Sequence, residues 1–261
     1  MSIITISRGS HSRGKEIAEK VANKLGYKCI AREVLIDASA NYNIPEVKLL
    51  HAIADPPSFF DRFTGVKEKY ITYIQNELLK NLKQDNIVYH GFAGHFFVKD
   101  ISHVLKVRII ADIKDRVKIV MERDKISEKE AYKFLKNIDS QRKRWSKTLY
   151  GIDTWNPVLY DIVLNIKNIT VDRAVDVICK AVKLKQFKTT AESQKAIEDL
   201  SLASQVKAAL TNVNNETKVY ADGGNIRVKT TSTLSKKEKD EIKKAAAKVP
   251  GVLKITVQKK A

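Results

Sequence analysis

The apolar positions along the first two thirds of the chain follow two rhythms. Residues 3–7 (IITIS) are apolar and β-branched without a polar break, which predicts a short strand buried on both faces. After a polar loop, Ile17, Val21 and Leu25 recur at i, i+4 and i+8 and predict a helix that Gly26 stops. "YITYIQNELLKNLKQ" predicts another amphipathic helix, leading into "NIVYHG" as a second strand. "VLKVRIIAD" and "YDIVLNI" read as a third and a fourth strand, and "TVDRAVDVICKAVK" as the helix after them. A basic helical stretch runs from Asp115 to about Leu149, and Ser127 with Glu130 forms a capping-box spacing where a helix restarts. Strands separated by helices predict an α/β fold with a parallel sheet covered on both faces.

After Lys185 the rhythm fades. "LKQFKTTAESQ" has no clear period and predicts a linker over 186–197. A helix then places Leu202, Val206, Ala209, Leu210 and Val213 on one side. Two alternating strands, "TKVYA" and "NIRVKT", meet at Asp222-Gly223-Gly224, a hairpin signal. Ser235 and Glu238 form another capping box, Pro250-Gly251 ends that helix, and Leu253, Ile255 and Val257 alternate in a last strand. The order αββαβ occupies roughly 65 residues, close to the lower limit for independent folding. The expected division is therefore a large domain over 1–185, the linker, and a small domain over 198–261.

The loop after the first strand changes the picture from fold to chemistry. In "ISRGSHSRGKEIAEKVANKLG", Gly9 is followed by four residues and then Gly14-Lys15, the spacing of a phosphate-cradling loop. Main-chain amides in such a turn point inward, and the helix start adds partial positive charge, so phosphate oxygens find donors. Lys15 would reach the β- and γ-phosphates. Glu16 stands where the usual motif has a hydroxyl for magnesium. The competing reading is a plain strand-to-helix turn with a surface lysine; the strand before and the helix after favour phosphate.

Composition narrows the partners. A formal charge of +18 over 261 residues points to anions: nucleotides, nucleic acid or acidic lipid head groups. The lysines are scattered and few aromatics accompany them, so a dedicated nucleic-acid surface is not expected. No apolar run reaches about 18 residues, and "MSIITIS" lacks the basic-then-apolar pattern of a secretory leader, so a cytoplasmic protein is expected. Cys29 and Cys179 lie far apart without metal-ligand spacing and read as two buried thiols.

"TISRGSHSRGKEIAEKVANKLGYKCIAREVLI" resembles the start of the cytidylate kinase-like family. The resemblance continues through "IQNELLKNLKQDNIVYHGFAG", "DSQRKRWSKTLYG" and "LYDIVLNIKNITVDRAVDVI", covering about residues 2–183. It implies a parallel-sheet P-loop nucleoside monophosphate kinase fold that uses ATP and Mg2+, with CMP or dCMP as acceptor. Gly9, Ser10, His11, Ser12, Arg13, Gly14, Lys15 and Glu16 would hold the ATP phosphates, with Lys15 stabilising charge. Arg116 and Arg123 would begin a mobile basic lid over the cofactor. Arg32, Asp139 and Arg142 would hold the acceptor, and Arg142 with Lys15 would serve catalysis. Asp139 and Arg142 stand three apart on a predicted helix, so a carboxylate could orient a phosphate-gripping guanidinium. The alternative is a surface ion pair worth a few tenths of a kcal/mol.

The chain also departs from that family. Ala31 stands where an aspartate precedes the basic residue, and Gly91-Phe92 where Gly-Arg is usual, with His90 and His95 nearby. His11 and Arg13 replace small residues in the loop, which would crowd or recharge the cradle. These departures motivate a second reading, a degenerate nucleotide-binding sensor or adaptor. Residues 198–258 are similar to a BON domain in element order, the glycine turn and the Gly251-Val252 ending. That likeness implies an anionic phospholipid or protein partner, for which the lysines of "SKKEKDEIKK" are candidates; the plainer reading is a solvated helix face.

Overall fold

The computed structural model describes residues 2–54, 65–91 and 94–259. In chain order its larger unit contains β1 (Ile3–Arg8), α1 (Gly14–Leu25), β2 (Lys28–Ile30), α2 (Glu33–Tyr42), α3 (Glu46–Ala54) and α4 (Val66–Leu82). There follow β3 (Ile87–Tyr89), α5 (Gly94–Phe97), β4 (Val104–Ile110), α6 (Ile113–Asp124), α7 (Glu128–Tyr150), β5 (Ile162–Asn165) and α8 (Val171–Ala181). The five strands form one parallel sheet in the order β2-β3-β1-β4-β5.

β1 occupies the middle, which explains its unbroken apolar run. Ile3 faces a core built with α2, α4 and Trp145 of α7, whereas Ile4 and Ile6 face α1 and α8. All three are at most 1% exposed, and each such side chain contributes about 1.5–3 kcal/mol of burial. The central position also places the end of β1, and hence the loop after it, at the carboxyl edge of the sheet between β3 and β4. That is where open parallel sheets bind ligands.

The predicted capping boxes are present at Ser127–Glu130 and Ser235–Glu238. β2 extends the four predicted strands to five. Three residues, of which Lys28 is exposed and only Ile30 is buried, show no period a sequence window could detect.

The smaller unit carries α9 (Ala191–Leu210), β6 (Lys218–Asp222), β7 (Asn225–Thr230), α10 (Lys236–Ala247) and β8 (Lys254–Lys259). β6 and β7 are antiparallel, β7 and β8 parallel, giving a separate three-stranded sheet. Gly223 and Gly224, at φ 51° and 83°, make the predicted turn. Glycine supplies both left-handed positions without steric penalty. Val206, Leu210, Ile226, Val228, Ile242 and Ala246 form its core. The lysines of α10 are exposed above that core, the arrangement of a solvated face.

Several expectations are corrected here. The stretch 186–197 is not a structureless linker: a 3-10 turn spans Lys185–Phe187, Thr190 caps α9, and the helix runs on without a break. Ala209 and Val213 are exposed, while Ser201 and Ala203 are buried. The cause is that α9 is covered twice, Ile197 by the larger core and Val206 with Leu210 by the smaller one. Leu253 precedes β8 and is 80% exposed. Cys179 is buried but Cys29 is partly exposed. Among the described residues no helix is long and apolar enough to cross a membrane.

Candidate active site

β1 ends at Arg8, and the chain turns through Gly9–Arg13 into α1. The Gly9 amide donates to Ile109 O at 3.0 Å, and Ser12 Oγ donates to Gly9 O at 2.9 Å, so the turn is pinned to β4 and to itself. The helix's first internally bonded amide is that of Ile17, which donates to Arg13 O at 3.1 Å. The amides before it are the free donors of a helix N-terminus, with the positive end of the dipole behind them. Residues Gly9 to Glu16 together with Arg8, Glu19, Ile119, Ile138 and Arg142 line a cavity of about 430 Å³. That lies within the roughly 300–1,000 Å³ usual for ligand pockets.

Two non-glycine residues of this loop, His11 and Arg13, sit at φ 55° and 59°. A side chain there costs roughly 1–3 kcal/mol, and such strain collects at ligand-binding loops. The expected crowding is relieved by where the side chains go. Arg13 folds back on Glu16, at 2.9 and 3.2 Å, and the His11 ring leans toward Arg123 and Phe134.

Arg116 braces the loop from α6. Its Nε donates to Ser10 O at 2.6 Å, and one terminal nitrogen donates to both oxygens of Asp139 on α7, at 3.0 and 2.9 Å. Ser10 Oγ closes the ring by donating to Asp139 at 3.3 Å. Both members are largely buried, at 5% and 15% side-chain exposure. Asp139 therefore orients Arg116, a partner that the three-residue spacing to Arg142 does not reveal, and Arg116 acts on the loop backbone.

A second cavity opens behind the loop. Ser7, Arg8, Gly9, Gly91, His95, Phe96 and Arg108 line it with Asp139, Arg142, Trp145, Thr154 and Trp155. Asp139 is the only carboxylate among these described residues, and it is committed to Arg116. Arg108, 5% exposed on β4, donates to Ser7 Oγ at 3.2 Å and Tyr160 OH at 3.3 Å and lies over the rings of Trp155 and Tyr160. Those partners are neutral. Burial and then the proximity of Arg8 push Arg142 down to about 10, opposed by Asp139. Burial also lowers Arg8. Arg8, Arg108 and Arg142 thus share one wall, and an anion there would meet three guanidinium groups. Burial holds His95 and His90 neutral, at about 3 and about 4.

Arg8, Gly9 and Arg142 belong to both cavities. Lys15 lines the loop cavity, exposed and 3.6 Å from Glu19. The structure does not bring Arg32 to either cavity: it is exposed and paired with Glu46 at 2.6 and 3.1 Å. Arg123 is exposed, bonded to Asp124 and touching His11 at the loop's rim. Ala31 donates its amide to Glu33 at 2.7 Å, at the entry of α2. Phe92 lies outside the described residues. Sequence reading missed Arg108, Trp155 and Tyr160. Arg108 had a signal, a cation that with Lys106 interrupts the apolar run "VLKVRIIAD".

Residues 3–168 match the Cytidylate kinase-like family. The chain is 28% identical over 188 residues to a cytidylate kinase of Archaeoglobus fulgidus, covering 71% of this chain and 97% of that one. It is 30% identical over 199 residues to a cytidylate kinase of Saccharolobus islandicus, covering 76% and 99%. Among solved structures, a protein from Eubacterium ventriosum superposes with a TM-score of 0.54 at 22% identity, covering 71% of this chain and 100% of that one, which shows the shared fold.

Proposed function

Because the chain belongs to the cytidylate kinase-like family, we propose that it transfers the γ-phosphoryl group of ATP to a nucleoside monophosphate, with CMP or dCMP as acceptor. The observation that carries this reading is the shared wall. Arg8, Gly9 and Arg142 stand between a loop cavity rich in amide donors and an arginine-lined cavity behind it.

Each side suits one substrate. The triphosphate tail takes the free amides before Ile17, and Lys15 supplies a mobile positive charge at its end. The acceptor's phosphate takes Arg108 and Arg142, and its base meets Trp155, Phe96 and Trp145. An oxygen of the acceptor phosphate bonds to the γ-phosphorus while the bond from that phosphorus to the β–γ bridging oxygen breaks, the electron pair leaving with ADP. Arg8 and Arg142 face both sides and would neutralise the charge spread over the moving group, so they are the catalytic arginines, with Lys15 beside them. The ring walls exclude water, which favours transfer over hydrolysis.

Magnesium fits the donor set in a particular way. Glu16 lines the loop cavity and would approach a Mg2+ carried by the triphosphate by exchanging the Arg13 contacts that both its oxygens accept, and the ion would neutralise the phosphate oxygens. The test is ADP release from ATP across the common nucleoside monophosphates. CMP or dCMP should give the highest kcat/KM; ADP release that ignores the acceptor would remove the proposal.

A further inference from the structure

The two units meet along α9 and α4. Tyr73 of α4 and Thr211 share a buried hydrogen bond of 2.8 Å, Lys69 donates to Asn212 at 2.5 Å, and Asn215 donates to the Gly65 carbonyl at 3.1 Å. Beside these bonds lies a cavity of about 270 Å³. Gln75 of α4, Ser204 and Lys207 of α9, and Thr217, Lys218 and Tyr220 at β6 are among its lining residues. It is remote in sequence from every residue of the phosphate loop.

Two features of this cavity are unexplained by folding alone. Ser204 is 6% exposed, and its hydroxyl has no hydrogen-bond partner among the described residues. Leaving such a group unpaired costs about 1–3 kcal/mol. Lys207 is half-buried and donates to Asn215 O at 2.6 Å and Thr217 Oγ1 at 3.3 Å, both neutral. No acidic side chain is among the described residues lining the cavity. Burial without an opposing carboxylate pushes this ammonium down to about 8. An ammonium has three donors, and two are used.

We propose that this cavity is a binding site for a small oxyanion of the phosphate class, held by the Lys207 ammonium and the Ser204 hydroxyl. An anion there would supply the missing counter-charge and the missing acceptor together. Lys218 adds charge at the rim, and Leu200, Ala203, Val219 and the Tyr220 ring give apolar surface for whatever carries the phosphate. The ligand would bridge α4, the helix that feeds β3 and the acceptor-side cavity, to the smaller unit. This assignment does not rest on the kinase reading.

The test is thermal unfolding of the full chain in inorganic phosphate against chloride at matched ionic strength. To weaken anion binding at the phosphate loop and the cavity behind it, the parent for the comparison is the Lys15→Ala/Arg142→Ala double variant. Its Tm should still rise with phosphate, by ~5 °C or more at a hundredfold excess over Kd. Adding Lys207→Met should shrink that rise severalfold. Ser204→Ala, which removes only an unpaired hydroxyl and keeps the fold, should shrink the rise severalfold in the same background. A phosphate response that is absent in the double variant, or equal with and without Lys207 and Ser204, would overturn the site. Loss of ATP turnover bears only on the kinase reading and leaves this comparison unchanged.

Discussion

Arg116 holds both carboxylate oxygens of Asp139, at 3.0 and 2.9 Å, and with the same guanidinium grips the Ser10 carbonyl at 2.6 Å. A loop with two strained residues is thereby fastened to α6 and α7, so its amides are held before any ligand arrives. Asp139→Asn leaves a buried guanidinium without its counter-charge, which costs about 3–5 kcal/mol in buried pairs. Urea denaturation should show a loss at the lower end of that range. ATP affinity measured by calorimetry should fall with it. A destabilised protein with unchanged ATP affinity would make the link a support of the fold and not of the loop.

Arg108 predicts the opposite balance. It has no carboxylate partner among the described residues, so Arg108→Met strands no charge there, and Tyr160 remains bonded to Ser7 and to His95, each at 3.2 Å. Stability should hold or rise. KM for CMP should rise by about 10- to 100-fold, the worth of a hydrogen bond to a charged group, with KM for ATP unchanged. Equal effects on both substrates would place Arg108 outside the acceptor side.

Gly14 is where α1 passes closest to the site. A Cβ there would lie 2.8 Å from Arg8 Cβ and 2.9 Å from Arg8 Cδ. The Arg8 Cβ is fixed to β1 and cannot yield, so Gly14→Ala must displace the Arg8 head or the helix start. Overpacking of this kind costs about 1–3 kcal/mol. Because Arg8 faces both cavities, affinities for ATP and for the acceptor should fall together in steady-state titrations. An effect on ATP alone would contradict the shared wall.

His90 and His95 give the pH dependence. Burial lowers both, to about 4 and about 3, whereas an unfolded histidine titrates near 6.5. Between those values the unfolded chain binds more protons than the folded one. Stability is therefore full above about pH 6.5 and is lost as pH falls toward 4, on the order of 1 kcal/mol per pH unit for each histidine. Urea midpoints from pH 7 to 4.5 should decline, and the His90→Gln/His95→Gln variant should flatten that decline. An equally steep decline in the variant would assign it to other groups.

What the sequence exposed was whatever is local. The run IITIS, the Gly9-to-Gly14 spacing and the Ser127 and Ser235 caps depend on residues a few positions apart, and each appears as an observed strand, turn or cap. What it concealed is long-range. Arg116 meets Ser10 across 106 positions, so no spacing rule could separate its bracing role from a lid role. Asp139 and Arg142 share a helix, yet Asp139 also holds Arg116 from another helix. α9 escaped as a helix in its first turns because two cores cover it, and a helix apolar on two sides loses the single stripe on which periodicity depends. Arg108 was visible but was absorbed into a strand; only burial beside Ser7 and Tyr160 turns it into a site residue.

Phosphate held at the turn after β1 is the claim on which the catalytic account stands, and Lys15 is the side chain that tests it with least disturbance. It is exposed and, among the described residues, makes one long ion pair, to Glu19 at 3.6 Å, so Lys15→Ala should leave the unfolding midpoint unchanged. Transfer from ATP to CMP, followed as CDP formation in single-turnover experiments, should slow by at least about 100-fold, roughly 2.7 kcal/mol of lost charge stabilisation. CDP formation at the parent rate in that variant would contradict the account.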